Sequence, residues 1–223
     1  MARFSRIEVA LRMKETGMVP VFFNKDLDIC KRVLTACYEG GVRVFEFTNR
    51  GDYAHEVFSE LNKFAEQTAP ELIMGVGSIV DAGTASLYMQ MGASFIVSPV
   101  LNPDMAKVCN RRKVSWSPGC GSLSEISYAE ELGAEVVKIF PGTQVGGPAF
   151  VKSVRAPHPW TSIMPTGGVA PTEENLGAWF DAGVHCVGMG SKLITKEIIA
   201  HKDFDGLKQK VIEAMKIIEK LKS

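Results

Sequence analysis

The chain has 223 residues, 46% apolar and 22% charged, with 25 lysines plus arginines against 25 aspartates plus glutamates. That length suits one globular domain over residues 1–223, and the charge balance offers no general affinity for nucleic acid or acidic membranes. No run of about 18 apolar residues is present, so no membrane span is expected, and the start, MARFSRIEVALRMKETG, lacks the apolar block of a secretion signal.

In chain order, an amphipathic pattern predicts an N-terminal helix over Ser5–Glu15, then a strand over Val19–Phe23 and a helix over Asp26–Glu39. A strand at Arg43–Thr48 precedes a helix over Tyr53–Gln67, and a strand at Leu72–Ser78 precedes a helix over Asp81–Met91. Further strands follow at Phe95–Val100, Val114–Gly119, Val136–Pro141, Ser162–Gly167 and Cys186–Ser191. Helices over Ser122–Leu132 and Thr172–Asp181 lie between them, and Phe204–Leu221 closes the chain. Ser122-Leu123-Ser124-Glu125 has the form of a capping box, and Pro171-Thr172-Glu173-Glu174 opens a helix with proline, a cap and acidic residues. A glycine followed by alanine or valine precedes strands two, four, six and eight, as expected where a helix stops and turns into a sheet.

Eight strands alternating with helices imply right-handed crossovers and parallel pairing. None of the eight has the short, polar character of an edge strand, which favours a closed (β/α)8 barrel with an extra N-terminal helix. The chemistry of such barrels lies at the carboxyl ends of the strands. The five cysteines are odd in number and scattered, consistent with reduced thiols in a cytoplasmic protein; Cys30 and Cys37 are expected in the core, seven apart on one helix. The four histidines show no metal-site spacing, so no metal and no cofactor are expected.

The most informative side chain is Lys138, in the apolar strand Val136-Val137-Lys138-Ile139-Phe140-Pro141. Proteins exclude an ammonium from such places or let it lose its proton, and an uncharged amine is a nucleophile toward carbonyl carbon. Lys138 is therefore a candidate for imine formation. Strand alternation puts Val136, Lys138 and Phe140 on one face, and Val44, Glu46 and Thr48 on one face of strand two with Phe45 and Phe47 opposite. Glu46 then points into the barrel, where it could meet Lys138 and exchange protons; a plain internal ion pair is the structural alternative. Arg50, at the mouth of strand two, suits bidentate binding of a carboxylate. Pro165-Thr166-Gly167-Gly168-Val169 and Gly188-Met189-Gly190-Ser191 end strands seven and eight, where glycines let backbone N–H groups approach an anion.

Together, Glu46-Phe47-Thr48-Asn49-Arg50, Val137-Lys138-Ile139-Phe140-Pro141, Pro165-Thr166-Gly167-Gly168 and Gly188-Met189-Gly190-Ser191 resemble the 2-keto-3-deoxy-6-phosphogluconate (KDPG) / 4-hydroxy-2-oxoglutarate (KHG) aldolases. The resemblance implies a metal-independent class I aldolase on a (β/α)8 barrel, a homotrimer acting on small 2-keto acids. It assigns the Schiff base to Lys138, proton shuttling to Glu46, the pyruvate carboxylate to Arg50 with Ser78 beside it, and packing on the pyruvyl carbons to Phe140 with Pro99 nearby. It gives substrate hydroxyls to Thr166 and the distal phosphate to Gly167, Gly168, Gly190 and Ser191. Three positions depart from the family pattern: Ser78 replaces threonine, Gly121 after Cys120 replaces threonine or serine, and Lys192 replaces an aromatic residue. The open alternatives are a galactonate-derived substrate, a phosphosugar epimerase or isomerase on the same barrel with Glu46 as base, and a non-catalytic phosphate-binding barrel.

Overall fold

The computed structural model describes residues 2–222, and the chain ends Met1 and Ser223 lie outside them. The first element, α1 (Arg6–Thr16), starts on a reciprocal cap: the Ser5 hydroxyl accepts from the Glu8 N–H, and the Glu8 carboxylate accepts from the Ser5 N–H. The barrel units follow as β1 (Met18–Phe22), α2 (Leu27–Glu39), β2 (Val44–Thr48), α3 (Ala54–Thr68), β3 (Ile73–Gly77), α4 (Ala82–Gln90), β4 (Phe95–Val97) and α5 (Pro103–Arg112). Then come β5 (Ser115–Ser117), β6 (Gly119–Cys120), α6 (Leu123–Glu131), β7 (Val137–Ile139), α7 (Gly147–Arg155), β8 (Ile163–Pro165), α8 (Glu173–Asp181), β9 (Val187–Met189), α9 (Lys196–His201) and α10 (Phe204–Lys222).

All strand pairs are parallel, in the order β5-β4-β3-β2-β1-β9 and β6-β7-β8. The continuous fifth strand expected from Val114 to Gly119 is instead two segments, because Pro118 has no N–H for a ladder. β5 pairs with β4, and after Pro118 the chain pairs with β7. The other junction closes between β8 and β9 through the bridge Thr166–Gly188 and the His185 N–H donating to Ile163 O at 2.8 Å. The result is the eight-stranded parallel barrel with an added N-terminal helix that the strand–helix alternation implies.

Alternation along the strands sorts the side chains into two buried layers. Phe45, Phe47, Val76, Ile96, Trp116, Val137 and Ile139 pack beneath the helices. Val19, Val44, Ile73, Phe95, Val97, Val136, Met164 and Cys186 face inward, joined by Val9 and Met13 of α1. The extra helix is therefore the floor of the barrel. His185 Nε2 lies 2.9 Å from Ala10 O, and Arg6 donates to Asn110 Oδ1 at 2.8 Å, tying that floor to the wall. The repeated glycines before alternate strands (Gly41, Gly92, Gly133, Gly183) all have left-handed backbone, with φ from 86° to 105°. Cys30 and Cys37 are both buried on α2, and all five thiols are unpaired. No helix among the described residues is long and apolar enough to cross a membrane.

Because Met13 is fully buried under the barrel's inner layer, Met13→Ala should cost about 2–5 kcal/mol of stability through lost burial and the cavity left behind. A shift of the urea midpoint with unchanged slope would measure it.

Candidate active site

Above the apolar floor the barrel interior turns polar. Glu46 on β2 is 1% exposed and Lys138 on β7 is 5% exposed. Glu46 shares the inner face of Val44, as Lys138 shares that of Val136, so the alternation predicted for both strands holds. They do not form the internal ion pair that was the structural alternative. Both Glu46 carboxylate oxygens are buried without a hydrogen-bond partner, and so are the hydroxyls of Thr48, Ser115, Ser117 and Thr166. Thr48 and Thr166 also line the cleft above, so their hydroxyls and the Glu46 oxygens beneath them are placed where polar atoms of a bound molecule could pair with them. Lys138 Nζ lies 5.0 Å from the centre of the Phe140 ring, which is partly exposed.

Burial pushes the Glu46 carboxyl above the ordinary carboxylate range, and the charges of Lys138 and then Arg50 oppose that shift. Room for Glu46 comes from Gly77: a Cβ there would lie 1.7 Å from Glu46 Oε1. Likewise a Cβ on Gly75 would lie 2.4 Å from the Phe95 ring. Neither of these glycines has positive φ, so they supply space rather than a turn.

Directly over this interior lies a cleft of about 420 Å³ at the carboxyl ends of the strands. Of the residues singled out from sequence, Arg50, Phe140, Thr166, Gly167, Gly168, Gly190 and Ser191 line it. Lys138, Glu46, Ser78 and Pro99 do not. Ser78 is half-buried with φ 61°, and the half-buried Pro99 has its carbonyl oxygen 2.3 Å from where a Gly119 Cβ would be. Arg50 is exposed and, among the described residues, has no carboxylate paired with it. Gly167 and Gly168 have φ of 97° and 80°, and the loop they form is held by N–H donation from Gly142 to Thr166 O and from Thr143 to Gly167 O. Around Gly190 the nearest atom to an added Cβ is 3.5 Å away, so that glycine leaves open space rather than avoiding a clash.

Sequence reasoning passed over Lys196 and Phe23, while Lys192 was noted only as a departure from the family pattern. Lys196 lines the cleft because the chain turns back after Ser191, with Leu193 and Ile194 N–H donating to Gly190 O. Lys192 also lines it, and its carbonyl accepts from Lys210 Nζ on α10 at 2.8 Å. Phe23, just past β1, completes one wall. No aspartate or glutamate lines the cleft, although the chain as a whole is neutral. A cleft with three cationic side chains and glycine loops suits a small, multiply charged anion.

A parallel barrel whose strand ends converge on a buried lysine and carboxylate belongs among the small-molecule (β/α)8 enzymes, and comparison with known proteins narrows this. The family model described as KDPG and KHG aldolase matches residues 9–210. A 2-dehydro-3-deoxy-phosphogluconate aldolase of Pseudoalteromonas atlantica is 30% identical over 200 residues, 89% of each chain. The KHG/KDPG aldolase of Escherichia coli K12 is 27% identical over 198 residues, covering 89% of this chain and 90% of that one. Among solved structures, the 2-keto-3-deoxy-6-phospho-gluconate aldolase of Zymomonas mobilis is 25% identical with a TM-score of 0.80, covering 94% and 96% of the two chains. The KDPG aldolase of Legionella pneumophila, determined with pyruvate captured as a covalent carbinolamine, has the same fold, with a TM-score of 0.83 at 23% identity over 92% and 97% of the chains. The chain belongs to the KDPG and KHG aldolase family.

The raised carboxyl of Glu46 has a consequence for stability. A group that holds its proton more tightly when folded stabilises the fold below its unfolded pKa and loses that contribution as pH rises toward the folded value. Glu46→Gln should therefore melt higher than the parent protein at pH 8, with the difference shrinking as pH falls toward 4.5, as thermal melts across that range would show.

Proposed function

We propose that the protein is a class I aldolase that cleaves a 2-keto-3-deoxy-6-phospho sugar acid, or 4-hydroxy-2-oxoglutarate, to pyruvate and an aldehyde, with Lys138 as the imine-forming residue. The observation that carries this reading is the buried Lys138 facing a Glu46 carboxylate with two unsatisfied oxygens, beneath a cationic cleft, in a chain of this family.

The steps follow from electron demand. The Lys138 amine adds to the C2 ketone, and the carbinolamine loses water to give a protonated imine. Glu46 takes the proton of the C4 hydroxyl as the C3–C4 bond breaks. The bonding pair moves into the imine as an enamine, and the aldehyde leaves. Glu46 returns a proton to C3, and water hydrolyses the imine to release pyruvate and the free amine. Burial makes the Glu46 carboxylate a stronger base than an ordinary one, which suits a group that must both take and give a proton. In this reading Arg50 clamps the C1 carboxylate with Ser78 beside it, while Phe140 and Pro99 pack on the pyruvyl carbons. Thr166 takes substrate hydroxyls, and Gly167, Gly168, Gly190 and Ser191 bind the distal phosphate. The backbone N–H groups of Gly168, Val169, Ser191 and Lys192 donate to nothing in the chain among the described residues, which supports that last role. The homotrimer implied by the family resemblance is part of the proposal, and the exposed Val80, Leu87 and Val100 offer apolar surface to another copy. The five unpaired thiols fit a reducing compartment.

Borohydride added in the presence of pyruvate should fix a covalent adduct on Lys138, located by peptide mass spectrometry; a folded protein that gives no adduct there would refute the imine. Glu46→Gln should lower kcat by about 10²–10⁴, the usual scale of general acid–base catalysis, in a steady-state assay of pyruvate release.

A further inference from the structure

We propose that Tyr88, acting through the side-chain amide of Asn49, is a positioning residue for Arg50. The inference rests on the reading of Arg50 as the carboxylate clamp and adds to it the element that aims the guanidinium.

The segment leaving β2 is fixed at each residue before Arg50 and then left free. Asn49 N–H donates to Gly77 O at 2.9 Å, which ties the turn to the end of β3. Arg50 N–H donates back to Thr48 O at 2.9 Å, closing the turn. The Asn49 side chain accepts at Oδ1 from the Tyr88 hydroxyl at 2.8 Å, across 39 residues of sequence. The Arg50 side chain has no ion pair, so its direction follows from the backbone that carries it.

The donor is itself immobile. Tyr88 lies on α4, 1% exposed, with its ring edge-on to Phe58 at 5.2 Å. Phe58 packs on Phe47 at 5.9 Å, and Phe47 meets Phe23 edge-on at 5.6 Å. This run of four rings wraps the helix side of β2 from the cleft wall at Phe23 to α4. A buried phenol needs one acceptor, and Tyr88 finds it on a side chain at the end of β2. That bond goes to the residue immediately before the unpaired guanidinium.

The arrangement reaches Glu46 as well. The charges facing the Glu46 carboxyl are Lys138 from β7 and Arg50 from the exit of its own strand, while its ladder partners Val21 on β1 and Gly75 on β3 carry none. Freeing Arg50 to swing into solvent would remove one of two charges that favour the carboxylate, so the carboxyl would hold its proton to higher pH.

The test is Tyr88→Phe, which keeps the buried ring and removes only the hydroxyl, with Asn49→Ala and Arg50→Ala measured beside it. In Tyr88→Phe, KM for the aldol substrate should rise about fivefold or more, the scale of one lost hydrogen bond, with kcat within about twofold. The acid limb of the kcat/KM profile should move to higher pH in both Tyr88→Phe and Arg50→Ala. Asn49→Ala should match Tyr88→Phe, and the double variant should be no worse than either single one. A Tyr88→Phe protein that melts lower but keeps the parent KM and acid limb would overturn the inference, as would additive effects in the double variant. Arg50→Ala with an unchanged KM would overturn the clamp reading beneath it, which separates the two failures.

Discussion

An amine and a carboxylate are enclosed in one closed cylinder without touching. Direct contact between Lys138 and Glu46 would satisfy both groups and would leave neither ready for an outside atom. Separation costs stability, because a buried polar atom without a partner costs about 1–3 kcal/mol, yet it keeps two Glu46 oxygens available. Gly77 makes the arrangement possible, since any Cβ there would occupy the space of Glu46 Oε1. The rest of the barrel follows from holding these groups apart. β2 and β7 are separated around the cylinder, and their spacing is fixed by the strands between them rather than by a bond between the side chains.

The interior is divided along its axis. Below, α1 closes the barrel with Val9 and Met13 against eight inward-facing residues that are apolar or, in Cys186, nearly so. Above, buried Glu46 and Lys138 lie beneath Thr48 and Thr166, which line a cleft with cations and glycines. The lower half supplies the packing that offsets the unsatisfied groups of the upper half. Stability and chemistry thus occupy different ends of the same strands, as expected where strand ends carry function.

Much of this was legible from residue order. Period-two alternation was enough to put Glu46 and Lys138 inside and Phe45 and Phe47 outside, because a strand has only two faces. The glycine before every second strand marked helix ends correctly, since only a left-handed turn fits there. Other features depend on neighbours distant in sequence. Gly75 and Gly77 lie within the strand expected at Leu72–Ser78, but what they make room for, Phe95 and Glu46, depends on strand stagger. The Glu125 carboxylate, expected to cap its helix by bonding the Ser122 N–H, bonds the Gly121 N–H and the Ser122 hydroxyl instead. α7 carries no side-chain cap and opens on Gly146-Gly147-Pro148, so the proline of its first turn is the one local start signal it has. The break at Pro118 and the return of Lys196 to the cleft follow from pairing and turning that alternation alone does not encode.

The cylinder has a weak zip. Where β8 meets β9, the ladder is reduced to the Thr166–Gly188 bridge with the His185–Ile163 bond below it. The glycine loops flanking that line are the same ones that face the cleft. A molecule seated between those two loops would span this thinly bonded join and bridge it from outside. A molecule binding only the closed barrel and touching both loops would add its binding free energy to the stability of that join.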